Sequence, residues 1–319
     1  MSTILVTGSS GFIGGHLVRK LMKEGHFVVG VDIVEPQYAK PSIFLCQDLR
    51  RNISIPAIFM TLKYSEIYNL ACLMGGMGYI GDEKKSYDIM VGSSEIITNV
   101  LNGAIRYGVK KIFYSSSACV YNQEYQEIED PLALDEDMAY PAFPDLVYGW
   151  QKLFGEQMHQ AAARSHDIDV RIARFHNIFG PEGVYDGGKE KAPAALCRKV
   201  AMAKDGDEIE VWGDGLQTRS FLYIDECLKG IHEIMSAGIG CPPLNVGSDL
   251  SVSINELAGL IINISGKNLS IKNIPGNEGV RGRNSSNVLI REYLGWSPGN
   301  DLEFGLRKLY TWVDKQVNK

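Results

Sequence analysis

The 319-residue sequence contains no apolar run approaching the length that spans a bilayer, so no membrane helix is expected. It contains no basic run longer than two or three residues, and its net charge is −6. Nucleic acid and anionic membrane are therefore not expected as main partners. Its six cysteines (46, 72, 119, 197, 227 and 241) include no Cys-x-x-Cys pair, and its six histidines have no ligand-like spacing. Neither a disulfide framework nor a metal site is expected, and the reducing cytoplasm is the default compartment. The opening "MSTILVTG" lacks the basic start, long apolar segment and cleavage site of a secretory signal. Repeats and low-complexity linkers are absent. What remains is ordinary globular chemistry, 45% hydrophobic and 22% charged, with length enough for one large or two medium domains.

Short β-rich runs alternate with helical spacing through the first half. "TILVTG", "HFVVGVD", "SEIYNLAC", "KKIFYSSS" and "DIDVRIARF" read as strands. "GFIGGHLVRKLMKEG", "SSEIITNVLNGAIRYG" and a stretch from Tyr148 through "GWQKLFGEQMHQAAARS" read as helices. Such alternation predicts an α/β fold with a Rossmann-type, doubly wound parallel sheet. After about residue 176 the pattern becomes irregular, and "GPEGVYDGG" reads as loop. The expected organisation is a cofactor domain over 1–175, with some later chain returning to it, and a smaller α/β substrate domain mainly over 176–319.

Gly8, Gly11 and Gly14 form a Gly-x-x-Gly-x-x-Gly pattern, with Phe12 and Ile13 inside it, directly after a strand and at the start of a helix. Glycines there permit a tight turn and a close backbone approach to a pyrophosphate at the helix N-terminus. Asp32, at the end of the next strand, stands where an acid binds an adenosine ribose. No arginine follows it nearby, so the pattern points to NAD rather than NADP. Asp48 in "CQDLR" can reach an adenine edge or serve as a cap.

"YGWQK" sets Tyr148 and Lys152 four residues apart on one helix face. The ammonium is expected to lower the phenol's pKa and to bond the nicotinamide ribose, leaving the phenolate to take a hydroxyl proton as hydride departs from the same carbon. Ser117, ending "FYSSS", is the expected third member; Ser115 and Ser116 read as backbone-bonding or packing residues. Two residues on stands Cys119. A buried cysteine is commonly a small core residue, but one beside hydroxyls at a strand end can be a base.

These motifs resemble the extended short-chain dehydrogenase/reductase family of nucleotide-sugar enzymes. Six longer stretches narrow the resemblance to its GDP-mannose 3,5-epimerases: "MGGMGYI" (74–80), "SSACVY" (116–121), "RFHNIFGPEG" (174–183), "GGKEKAPAALCRK" (187–199), "VWGDGLQTRSFLYIDE" (211–226) and "IPGNEGVRGRNS" (274–285). The resemblance implies NAD, a GDP-sugar substrate and a homodimer formed through helices near 93–107 and 148–165. It also implies that Cys119 and Lys191 act as an acid/base pair. Oxidation at carbon 4 acidifies the neighbouring C–H bonds, and the pair then inverts carbons 3 and 5. Lys199, Arg219, Arg281 and Arg283 would neutralise the pyrophosphate. Asn177 and Gln217 would contact phosphate or sugar, and Gly75, Gly76, Met77 and Gly78 would approach the hexose. Cys72 and Cys197 read as packing residues without comparable neighbours.

The chain departs from the family at Tyr121-Asn122-Gln123, where Tyr-Pro-Glu is usual, so a related GDP-hexose or GDP-heptose stays open as substrate. Three other readings also stay open. A 4-epimerase would need no Cys119–Lys191 pair. A 4,6-dehydratase would carry an acid within Ser117-Ala118-Cys119. A non-catalytic NAD-binding regulator would tend to lose Tyr148 or Lys152.

Overall fold

The computed structural model describes residues 1–60, 62–129, 132–299 and 301–319. The first half supplies β1 (Thr3–Thr7), α1 (Phe12–Lys23), β2 (Phe27–Asp32), β3 (Ile43–Cys46), α2 (Ser54–Phe59) and β4 (Glu66–Asn69). It continues with α3 (Met77–Ile80), α4 (Ser86–Arg106), β5 (Lys111–Ser117), α5 (Val147–Ser165) and β6 (Asp169–Phe175). Each expected strand and helix is there. The second half adds β7 (Ile178–Phe179), α6 (Ala192–Met202), β8 (Glu208–Trp212), β9 (Thr218–Ser220), β10 (Leu222–Tyr223), α7 (Ile224–Ser236) and β11 (Leu244–Val246). It closes with β12 (Ser251–Ser253), α8 (Ile254–Ser265), β13 (Ser270–Ile274), β14 (Gly282–Arg283), α9 (Val288–Leu294) and α10 (Leu302–Val317).

Seven parallel strands form the central sheet in the order β11-β6-β5-β4-β1-β2-β3. The order reverses between β1 and β4, which opens a crevice at their C-terminal ends, where doubly wound sheets bind ligands. Strand alternation sends Ile4, Val6 and Val28 into one core, with Leu17 and Leu21 of α1 and Leu228 and Ile231 of α7. Leu5, Val29 and Val31 enter the opposite core, under Ile97, Val100 and Leu101 of α4.

A third core lies apart from the sheet, where Leu196, Cys197 and Val200 of α6 meet Leu257 and Ile261 of α8 and Leu306 and Leu309 of α10. Cys197 is a core residue there, and burial pushes its thiol upward. The C-terminal half is thus as regular as the first. It also returns to the sheet, because β11 pairs with β6 and α7 packs on the same face as α1.

Candidate active site

The glycine turn after β1 is built on close backbone contact. Gly8 has φ +68°, and a Cβ there would stand 2.9 Å from the Ala71 nitrogen. A Cβ on Gly14 would run into the Gly8 carbonyl. Gly11 caps α1 with no side-chain hydrogen bond, so the first amides of the helix keep their donors for a ligand. The buried hydroxyls of Ser9 and Ser10 have no protein partner. Asp32 closes the turn by accepting from the Ser10 backbone N–H at 3.0 Å and from the amide of Ile33 at 2.7 Å. A dinucleotide fits this cradle: donors for a pyrophosphate, and a carboxylate at the end of the adjacent strand for a ribose. Phe12 faces Gly180 and Gly183, while Phe12 and Ile13 both pack on the sheet core. Asp48 is occupied by Arg50, whose Nη2 donates at 2.7 Å. That bond holds the Asp48 carboxyl below its usual value and leaves Arg50 engaged.

Beside the crevice, Ser117 ends β5 and caps a short turn over Ala118–Val120 by accepting from the Cys119 N–H at 3.2 Å. Tyr148 lies at the start of α5, in contact with the Ser117 hydroxyl. Helix and turn meet closely because of Gly149, where a Cβ would collide with the Cys119 carbonyl. Tyr148, Cys119 and Ile89 form one small buried cluster, flanked by Leu73, Tyr79 and Ile80. Lys152 is buried, donates to the Ser115 carbonyl at 2.7 Å and lies 5.7 Å from the Tyr148 ring centre.

The expected lowering of the phenol does not emerge from this geometry. Burial pushes Tyr148 well above its ordinary value, and the neighbouring Cys72 and Cys119 add to the shift. Ser115 and Ser116 are structural, as expected. The Ser115 hydroxyl donates to the Asn69 carbonyl, and the Ser116 hydroxyl to Glu156 at 2.5 Å.

Lys191 precedes α6, on a segment that docks against the glycine loop before α3. Gly76 donates its N–H to the Lys189 carbonyl at 2.9 Å, and a Cβ on Gly76 would run into the Glu190 carbonyl. Lys189 lies over the Tyr79 ring at 4.5 Å. The loop thus holds the Lys191 segment, a role the sequence reading did not assign to it. Burial pulls the Lys191 ammonium below its ordinary value, while the thiols of Cys119, Cys227 and Cys72 act in the opposite sense. Met77 meets Gly279 of the "IPGNEGVRGRNS" segment, bringing that stretch to the same site.

The remaining expected contacts are each engaged within the protein. Lys199 donates to the Glu210 carbonyl at 2.7 Å. Gln217 gives its amide N–H to the Trp212 carbonyl and keeps a buried Oε1 without a partner. Asn177, at φ 42°, donates to the Ser220 carbonyl. Arg219 donates to the carbonyls of Thr218, Glu278 and Val280, and burial pulls it to about 10. Arg281 is gripped by Asp214, Glu129 and Glu278. Arg283 points inward, onto Cys119, Gln126 and Asp145. The divergent Asn122 is structural. It caps the turn over Gln123–Gln126, donates to the Pro141 carbonyl, and has φ −58°, which proline also adopts.

A dinucleotide cradle at the switch point of a parallel sheet, beside Ser117, Tyr148 and Lys152, defines an NAD-dependent enzyme of the short-chain dehydrogenase/reductase type. The chain belongs to the NAD dependent epimerase/dehydratase family, whose model matches residues 4–247. It is 42% identical over 320 residues to GDP-mannose 3,5-epimerase 1 of Oryza sativa subsp. indica, covering 99% of this chain and 82% of that protein. It is also 42% identical over 321 residues to GDP-mannose 3,5-epimerase of Arabidopsis thaliana, covering 99% and 83%. Among solved structures, UDP-glucose 4-epimerase of Thermotoga maritima superposes with a TM-score of 0.85 at 25% identity, over 99% of both chains.

Proposed function

We propose that the protein is a GDP-mannose 3,5-epimerase. The observation that carries this reading is the gathering of Cys119 and Lys191 around the Tyr148–Ser117 pair, a set of proton carriers that simple carbon-4 chemistry does not need. When bound, NAD supplies the hydride acceptor for carbon 4 and later returns that hydride. The glycine turn, Asp32, Tyr148 and Lys152 are the residues that would hold it. Ser117 orients the sugar hydroxyl, and Tyr148 takes its proton as the phenolate; the Lys152 ammonium and the positive charge of bound NAD would oppose the burial that holds the phenol protonated. With carbon 4 a ketone, the adjacent C–H bonds become acidic. Cys119 and Lys191 then remove and return protons at carbons 3 and 5. Lys199, Arg219, Gln217, Asn177 and Arg281 bind the nucleotide and sugar, with Arg281 exchanging a carboxylate for phosphate.

The cofactor domain in this reading is 1–175 with α7 and β11 returned to it, and the substrate domain is the remainder of 176–319. All six cysteines are free, which suits the reducing cytoplasm. No helix among the described residues is long and apolar enough to cross a membrane. Exposed Trp150 and Phe154 on α5 line one groove with Met90 and Val91 on α4. That face is the proposed homodimer contact, and sedimentation reads it directly.

Incubation with GDP-mannose in heavy water tests the activity. Product NMR should show deuterium at carbons 3 and 5 and none at carbon 4, which is carried as hydride. Stoichiometric accumulation of NADH, or label confined away from carbons 3 and 5, sinks the proposal.

A further inference from the structure

Arg283 ends β14 almost fully enclosed, at 7% exposure. Its Nη1 donates to the Cys119 sulfur at 3.3 Å, its Nε donates to the Gln126 side-chain oxygen, and its Nη2 reaches Asp145 at 3.5 Å. A buried guanidinium needs anionic partners to offset desolvation. Asp145 satisfies that need poorly, through one long contact to Oδ2, while its buried Oδ1 has no partner.

We propose that Arg283 is the charge partner of Cys119, stabilising its thiolate and fixing its direction, while Asp145 balances the arginine when the thiol is protonated. This role rests on the reading of Cys119 as a proton carrier. Because Arg283 acts through the sulfur, it is a positioning residue and is withdrawn from the pyrophosphate-binding set. Cys119 lies among Tyr148, Lys191, Arg219, Arg283 and Asp145. That set carries more positive than negative charge while the thiol is neutral, and Arg283 is the cation in hydrogen-bond contact with the sulfur, its charge held by Cys119 and Asp145 despite burial.

The test is iodoacetamide labelling of the NAD-bound enzyme at neutral pH, followed by mass spectrometry of the Cys119 peptide. Arg283→Gln should slow Cys119 labelling about tenfold, the consequence of a smaller thiolate fraction. Exposed Cys46 serves as the internal rate standard. An unchanged Cys119 rate in a folded Arg283→Gln variant overturns the proposal, since an arginine that only ties β14 to α5 would leave the sulfur's reactivity alone. Labelling of buried Cys197 and Cys227 would report misfolding. In that event Asp145→Asn reads the same coupling from the other side. It should quicken Cys119 labelling several-fold, about half a decade by the same relation between charge and thiolate fraction, and an unchanged or slower rate overturns the proposal. Cys119→Ser separates the two layers. If that variant still exchanges deuterium at carbons 3 and 5, the proton-carrier reading itself fails. If exchange is lost but the labelling arms fail, only the role of Arg283 falls.

Discussion

At the scale of single residues, the site is a collection of groups moved away from their behaviour in water, and each shift has a local cause. Lys191 illustrates the logic. Burial disfavours its ammonium and pulls the amine below its ordinary value, the direction that favours giving up a proton. Arginine keeps its charge throughout and cannot play that part. Lys191→Arg should therefore preserve the positive charge beside Cys119 yet lower deuterium entry at carbons 3 and 5 by about two to four orders of magnitude, the usual cost of a positioned acid or base. Carbon-4 oxidation, followed as NADH absorbance in a single turnover, should decline far less. Exchange within about threefold of wild type, small against that cost, would mean that Lys191 contributes charge and no proton transfer.

At the scale of elements, glycines set the distances between catalytic groups. Gly149 allows the start of α5 to sit on the Cys119 turn, and Gly76 allows the Lys191 segment to lie against the loop before α3. Gly76→Ala must push two backbones apart, because the obstructing atom is a carbonyl oxygen rather than a flexible side-chain tip. Overpacking of this kind costs about 1–3 kcal/mol, and the displacement falls on Lys191. The expected result is a modest loss in Tm, bound NAD retained, and a tenfold or greater fall in epimerisation, since misplacing a reacting group by about 1 Å can cost a hundredfold. Loss of NAD in step with activity would show that the loop supports the whole fold rather than this segment. The same scale separates what the sequence disclosed from what it hid. Gly8, Asp32 and the Tyr148–Lys152 spacing were legible because local geometry alone dictates them. The strands of the first half were legible because their apolar runs are bounded by turns. The regular helices after residue 176 were hidden, since α6, α8 and α10 pack around a core of their own and their pattern was read as irregular. The Arg283–Cys119 contact joins residues 164 positions apart, and no spacing rule reaches that far. Nor could the sequence reveal that burial would raise the Tyr148 phenol.

At the scale of the whole molecule, two histidines bind the fold's stability to pH. His159 on α5 is fully enclosed, stacks on Tyr114 at 4.2 Å between ring centres, bonds through Nδ1 to the Gly155 carbonyl, and has no partner for Nε2. His176, just after β6, is equally enclosed and donates from Nε2 to the Asn245 side-chain oxygen. Burial pulls the two down to about 4 and about 3, respectively. The unfolded chain, with histidines near 6.5, takes up protons as pH falls below that value, and the folded chain does not. Stability contributed by keeping these rings neutral is therefore complete above about 6.5 and is lost as pH falls toward 4. Glu136 works in the opposite direction: burial raises its carboxyl, so the fold binds a proton there that the unfolded chain has released. Its effect begins nearer the carboxylate range, and this one group stands against two histidines. Thermal melts between pH 7 and pH 5 should therefore show falling Tm, with each histidine adding up to about 1.4 kcal/mol per pH unit to the slope. His159→Phe keeps an aromatic ring against Tyr114 and removes the titration, so its Tm should fall less steeply over the same interval, whatever constant offset the substitution brings. Parallel curves for the two proteins would show that His159 does not supply the proton linkage.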